Sequence, residues 1–300
     1  MNIIILGGTG FVGTSLVSRW TRAGHDLVLP TRNPSLARHL AVLPTVRLVR
    51  ADVHDPATLA RLFKDCDVVV NLVGILNERG DSGRGFLQAH TELTRKTVAA
   101  AAAAGVARYL HMSALGADEH GPSHYLRSKG LAERIVQSAP PTLDWTIFRP
   151  SVIFGTRDSL TNRFAALLRL SRGFMPLARA QARFAPVWVE DVASAFDLAL
   201  AGSDATSRKT FELCGPEVMT LGELVTVIGE CSGTPASVLP LPDVIGRAQA
   251  FVMDFLPGKP FSRDNFRSLT VDNVCRDDGF KALGIRPAAL RGTMRAWRST

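Results

Sequence analysis

Short apolar runs alternate with longer stretches of helical period through the first half of this chain. Ile3 to Leu6 is apolar at every position, as a strand covered on both faces would be. Similar runs at 26–31, 46–50, 67–73, 107–113 and 144–149 predict further strands. Between them, apolar residues recur at helical spacing over 11–23, 34–42, 56–64, 86–104 and 123–138. Buried strands separated by helices imply an α/β protein built on a doubly wound parallel sheet. In such sheets ligands bind beyond the carboxyl ends of the strands, so the loops leaving those ends carry the candidate chemistry.

After Pro150 the alternation loosens. The sequence predicts a helix over 159–171, a loop from Phe174 to Ala185, and a short strand at Pro186–Val189. A helix from Glu190 to about Leu200, a strand at Phe211–Leu213 and a helix capped by Thr220 and running through Ile228 follow. Pro-rich turns are expected at 235–242 and 257–260. Asp243 to Leu256 places Val244, Ala248, Phe251 and Phe255 at helical spacing. Its polar positions hold Arg247 against Asp243 and Asp254, so a core or lid helix is expected there rather than a membrane-surface helix. The expected division is a core over 1–154, with 186–213 contributing, and a smaller mixed C-terminal substrate or lid domain from 155–185 and 214–300.

Composition narrows the class. The 300 residues are 46% hydrophobic and 21% charged, ordinary for a globular protein. No apolar run approaches the roughly 20 residues of a bilayer-spanning helix, and with a strand predicted from residue 2 no leader peptide is expected. The net charge is +8. The basic residues are dispersed without a dense tract, so a generally basic protein with an anionic cofactor is a better account than one that binds a nucleic acid or an anionic membrane surface. Cys66, Cys214, Cys231 and Cys275 are far apart and form no CxxC pair, so reduced structural thiols in a cytoplasmic protein are expected. The seven histidines show no HxxxH or HExxH spacing, and no metal site is expected. His124, beside Tyr125, either lines the mouth of the pocket or faces solvent, and the second is expected.

The first strand runs directly into Gly7-Gly8-Thr9-Gly10-Phe11-Val12-Gly13 and then a helix. Strand, glycine turn and helix together form the dinucleotide-binding context of a Rossmann sheet. The glycines permit the tight turn, the approach of a pyrophosphate and close helix packing, while free N–H groups at the helix start face the phosphates. NAD-binding sheets usually end the second strand in an acidic residue. Here the second strand ends in Arg32-Asn33, and an arginine there would pair with a 2′-phosphate, so NADP(H) is expected in preference to NAD(H). Asp52-Val53 leaves the third strand, where Asp52 either receives the adenine amino group or serves the following turn or helix cap. Leu72-Val73-Gly74 leaves the fourth strand toward the ribose. Pro150-Ser151 leaves the sixth, placed to wall the nicotinamide.

Tyr125-Leu126-Arg127-Ser128-Lys129 is a YxxxK sequence within a predicted helix. Residues i and i+4 share a helix face, so an ammonium one turn from the phenol is expected to lower the phenol's pKa. Lys129 can also hold ribose hydroxyls, and Tyr125 then becomes a usable acid or base.

The glycine turn, YxxxK and Arg149-Pro150-Ser151-Val152-Ile153-Phe154-Gly155 together resemble the extended short-chain dehydrogenase/reductase family. Val187-Trp188-Val189-Glu190-Asp191-Val192-Ala193 is similar to that family's second-half signature. His111–Ala117, Phe211–Pro216, Leu256–Pro260 and Val271–Val274 resemble its atypical branch. That branch holds the nucleotide-binding accessory subunit of mitochondrial complex I and free-standing bacterial relatives. The resemblance implies bound NADPH and assigns Tyr125 and Lys129 to the catalytic pair. It implies a hydroxyl at the end of the fifth strand to hold a substrate carbonyl. Ser113 supplies one, but Ala114 follows where the family usually has a second hydroxyl. Two functions therefore stand open: an NADP(H)-dependent oxidoreductase acting on a carbonyl or alcohol, with quinones as a candidate class, and a non-catalytic NADPH-bound partner of a respiratory complex, peripheral to the inner membrane.

Overall fold

The computed structural model describes residues 1–256 and 259–298. The Pro-rich turn expected at 257–260, and the Leu256–Pro260 motif with it, fall partly outside the described residues.

Strands β1 (Asn2–Leu6), β2 (Asp26–Thr31), β3 (Val46–Arg50), β4 (Val68–Asn71), β5 (Arg108–Met112) and β6 (Asp144–Pro150) form where the apolar runs predict them. They join one parallel sheet of seven strands, whose seventh, Lys209–Leu213, pairs with β6; the order is 3-2-1-4-5-6 followed by that last strand. Alternation along β1 assigns the faces. Ile3 and Ile5 pack with Leu16 and Trp20 of α1 (Phe11–Arg22), while Ile4 and Leu6 pack on the opposite side with Leu59 and Phe63 of α2 (Pro56–Phe63). The chain thus builds an α/β, doubly wound Rossmann sheet covered on both faces.

Three helical stretches depart from expectation. Residues 34–42 fold instead as 3-10 turns over Pro34–Leu40, interrupted by a non-helical Ala37. The helix expected at 86–104 begins with α3 (Arg84–Phe86), widens into a π-turn at Leu87–Glu92, and continues as α4 (Leu93–Ala103). Third, the α9 helix, Asp243–Met253, does not turn its apolar stripe inward. Gly246 and Ala250 are buried on it, and Val244, Ala248, Phe251 and Phe255 are exposed.

Helix α5 (His124–Gln137) joins β5 to β6, and the second half contains α6 (Ser159–Leu170), α7 (Val189–Leu200), α8 (Leu221–Ser232) and α10 (Arg263–Ser268). Helix α7 returns to the sheet, where Asp197 accepts from Trp20 Nε1 and Arg19 of α1. The segment Phe174–Ala185 is no loop: it forms β8 (Phe174–Ala178) and β9 (Arg183–Phe184). Its parallel partner, β13 (Ser237–Leu241), occupies the turn expected at 235–242. Prolines 176 and 240 hid both strands. They are tolerated because this sheet has only two strands, so each keeps an unpaired edge.

The cysteines also correct the sequence reading. Cys214 and Cys275 form a disulfide, whereas Cys66 and Cys231 are free and buried. The Glu212 carboxylate accepts the amides of Arg276 at 2.6 Å and Asp277 at 3.3 Å, which draws the distant segment onto the end of the seventh strand. The pairing removes the thiol argument for a reducing compartment.

Candidate functional site

The glycine turn has the geometry that its sequence requires. Gly7 has φ +78°, a left-handed conformation, and a Cβ there would lie 3.1 Å from the Leu72 carbonyl carbon on the exit of β4. A Cβ on Gly13 would lie 2.5 Å from the Gly8 oxygen, so α1 sits directly against the turn. Gly10 is the N-cap and provides no side-chain hydrogen bond, and no acidic residue occupies the first turn. The leading N–H groups at Phe11, Val12 and Gly13 therefore remain available to an anion. Thr9 is half-buried beside them, and the Phe11 ring packs on Gly155, tying the turn to the second half.

Arg32 and Asn33 are exposed at the end of β2. Arg32 has no hydrogen bond or ion pair with another described residue, whereas Asn33 accepts from Ser35 at 2.5 Å. Asp52 and Val53 lie beside them past β3. Asp52 accepts the His54 amide at 2.9 Å as a turn residue would, and Asp55, not Asp52, caps α2.

Beyond β4, Leu72 is buried, Val73 half-buried and Gly74 exposed. A Cβ on Gly74 would meet His90 Nε2 and Lys129 Nζ, each at 3.4 Å. The exit loop therefore passes directly over both side chains. His90 sits in the π-turn, 2% exposed. Its Nε2 accepts the Ile75 amide at 3.0 Å, and its Nδ1 lies 2.8 Å from Ser128 Oγ, which in turn donates to the Tyr125 carbonyl. Phe86 and His90 both meet the Tyr125 ring edge-on, with centroids at 6.0 and 5.5 Å.

Tyr125 and Lys129 lie one turn apart on α5. Lys129 donates to the Met112 carbonyl at 3.1 Å, immediately before Ser113 at the end of β5. Burial lowers its pKa to about 8, with Glu133 opposing. Burial raises the Tyr125 phenol to about 12. The sequence reading expected Lys129 to lower it. Here the desolvation of the phenolate dominates, and the ammonium is turned to a carbonyl instead. Ser113 is buried with no partner for its hydroxyl, and neither ring nitrogen of buried His111 has one among the described residues. Burial, then the Lys129 charge, lowers His111 to about 3. Orphaned polar groups beside a loop exit are what a site completed by a ligand presents. Ala114 is buried next to them and adds no polar group.

The second half fastens the helix that carries Tyr125. Asp264 of α10 accepts the amides of His124 at 2.8 Å and Tyr125 at 3.1 Å, alongside the Ser123 cap. His124 is half-buried rather than solvent-facing, with Nδ1 2.9 Å from Arg127. Ligand atoms of Asp81, His124 and Asp264 lie within 4.8 Å of one another, but Arg267 spans both carboxylates, making this an ion-pair cluster. Pro150 and Ser151 leave β6 as expected. The Ser151 hydroxyl is committed to Asn273, at 2.6 Å from its side-chain oxygen, and this anchors the second half.

Sequence reasoning missed His90, His111 and Asp264. His90 is masked by the unbroken helical period around it, and no local signal pairs Asp264 with a helix 139 residues earlier.

A glycine turn, a seven-stranded parallel sheet and a Tyr–Lys helix define an NAD(P)-binding protein of the extended short-chain dehydrogenase/reductase type. The sequence profile described as NAD(P)H-binding matches residues 7–168, and the chain belongs to that family. It is 31% identical to the Arabidopsis thaliana NADH dehydrogenase [ubiquinone] 1 alpha subcomplex subunit 9, mitochondrial, over 96% of this chain and 75% of that protein. It is 33% identical to the ceramide reductase of Caulobacter vibrioides over 64% of this chain and 58% of the reductase. Among solved structures it resembles the UDP-glucuronic acid 4-epimerase of Bacillus cereus, bound to UDP-glucuronic acid and NAD. That likeness has a TM-score of 0.78 and 15% identity, covers 99% of this chain and 97% of the epimerase, and speaks to the fold alone.

Proposed function

We propose that this chain binds NADP(H) and reduces a carbonyl substrate, with Tyr125 as the proton donor. The observation that carries the reading is the convergence of Lys129 and the unpartnered Ser113 hydroxyl at the end of β5, under the Gly74 exit loop. The glycine turn and the α1 N-terminus would hold the pyrophosphate, Arg32 the 2′-phosphate, and Lys129 the ribose hydroxyls. When bound, the nicotinamide supplies the hydride. The chain's own groups manage the charge. Ser113 donates a hydrogen bond to the substrate oxygen, and Tyr125 transfers its phenolic proton to that oxygen as negative charge develops. A phenol near 12 is protonated at neutral pH, which suits reduction better than alcohol oxidation. Phe86 and His90 hold the ring in place. Tyr125→Phe is expected to abolish turnover across a carbonyl and quinone panel while retaining NADPH binding; an unchanged rate removes Tyr125 from the mechanism. The parent is expected to bind NADPH more tightly than NADH, with Arg32→Ala erasing the difference. Equal affinities in the parent overturn the cofactor assignment.

Two observations favour a second reading. Ala114 leaves a single hydroxyl at the end of β5, and Lys129 does not lower the phenol. A protein holding NADPH as a structural ligand, partnered with a respiratory NADH:quinone oxidoreductase, needs no more than this site. Recovery of respiratory subunits by affinity capture, with NADPH bound but never oxidised, would favour it. Among the described residues no helix is long and apolar enough to cross a membrane, so placement at a respiratory complex would be peripheral.

A further inference from the structure

Helix α9 exposes the stripe that its sequence marked for burial. Val244, Ile245, Phe251, Val252, Phe255 and Leu256 are each 47–80% exposed, on a helix of eleven residues and its immediate C-terminal extension. Single exposed apolar side chains are ordinary, but six contiguous ones mark a contact surface. The opposite side of α9 is seated on β8. A Cβ on Gly246 would lie 2.9 Å from the Ala178 side chain, and Gln249 donates to the Pro176 carbonyl at 3.0 Å. The helix therefore runs antiparallel to β8, and its later turns approach Phe174, itself 53% exposed.

The charges around this stripe have one predominant sign. Arg247 is exposed on α9, and Arg163 of α6 reaches the Pro260 carbonyl at 3.1 Å; neither has a carboxylate partner among the described residues. Arg263 stacks over the Phe251 ring at 5.3 Å. The nearby acids are already neutralised: Asp254 is buried between Arg263 and Lys259, and Asp243 pairs with Arg179. The face presents apolar side chains and spare guanidinium groups, with no free carboxylate among the residues named.

We infer that α9 docks on the surface of an anionic phospholipid bilayer. The aromatic and aliphatic side chains enter the headgroup–acyl boundary, while Arg247 and Arg163 meet lipid phosphates. A second copy of this chain would bring the same cations together across a two-fold interface, which charge disfavours.

Flotation of the full chain with vesicles tests this. Vesicles of phosphatidylcholine with phosphatidylglycerol are expected to carry the protein upward, and phosphatidylcholine alone at least tenfold less. Added salt reduces the binding. The double variant Phe251→Glu/Phe255→Glu is expected to lose binding at least tenfold while keeping the parent's melting temperature, since both rings are exposed. Arg247→Ala weakens binding by about fivefold. Failure of the parent to float with anionic vesicles overturns the inference, as does a double variant that floats like the parent. Sedimentation showing a dimer that this variant dissociates, without vesicle binding, assigns the face to self-association instead.

Discussion

The Nε2 of buried His90 accepts the backbone N–H of Ile75 at 3.0 Å, which places the proton of the neutral ring on Nδ1, toward Ser128. One imidazole thus joins the β4 exit loop to the helix of Tyr125. Burial first, and the Lys129 charge second, lower its pKa to about 2. His111 is lowered to about 3. Both folded values lie below the ordinary 6.5, so as pH falls the unfolded chain takes up these protons first. Stability is unaffected by the pair above about pH 6.5, and declines below it by up to about 1.4 kcal/mol per pH unit for each ring. Urea unfolding midpoints at pH 7.5 and pH 5.5 check this; equal midpoints would contradict two neutral buried rings.

Lys129 shows the opposite pull of stability and binding. Its folded pKa of about 8 lies below the free value of 10.5, so keeping it charged at neutral pH costs the fold roughly 3 kcal/mol. Lys129→Met is expected to raise the melting temperature of the ligand-free protein by several degrees and to weaken NADPH binding at least tenfold. Calorimetry with and without NADPH separates the two effects. A variant that melts lower and binds normally would make Lys129 a structural residue.

Gly13 admits no side chain. An alanine Cβ would stand 2.5–2.6 Å from the backbone oxygens of Gly8 and Gly7 and force α1 off the turn. Gly13→Ala is expected to destabilise the fold by about 1–3 kcal/mol and to reduce dinucleotide affinity. Gly24→Ala, with open space around it but φ +77°, is the comparison: it costs backbone strain yet leaves affinity unchanged. Equal affinities for Gly13→Ala and the parent would separate the turn from binding.

The Cys214–Cys275 disulfide spans 61 residues. Closing a loop of that length stabilises by about 4 kcal/mol in the chain-entropy picture. A reductant, or Cys214→Ser/Cys275→Ser, is expected to lower the melting temperature by several degrees. Peptide mapping without reduction should recover the linked pair.

The first half of the fold was legible because its strands are short runs rich in apolar and β-branched residues, separated by stretches of helical period. The glycine turn and YxxxK were legible because the chemistry they support requires fixed spacing along one segment. What escaped the sequence reading depends on distance or on solvent. Prolines 176 and 240 argued against strands whose two-membered sheet tolerates them. Nothing around Cys214 announces Cys275. The stripe on α9 has the period of a buried helix, and only its environment reveals that it faces outward. The phenol of Tyr125 is governed by burial, which an i,i+4 rule does not contain.

Asp264 gives the cleft a mechanical property. Its carboxylate is the link between α10 and the leading amides of the helix that carries Tyr125 and Lys129. Any opening of the second half at α10 strips a charged cap from that helix. Displacement of α10 and loss of that cap are therefore one event, so the order of the turn that presents Tyr125 depends on a residue 139 positions further along the chain.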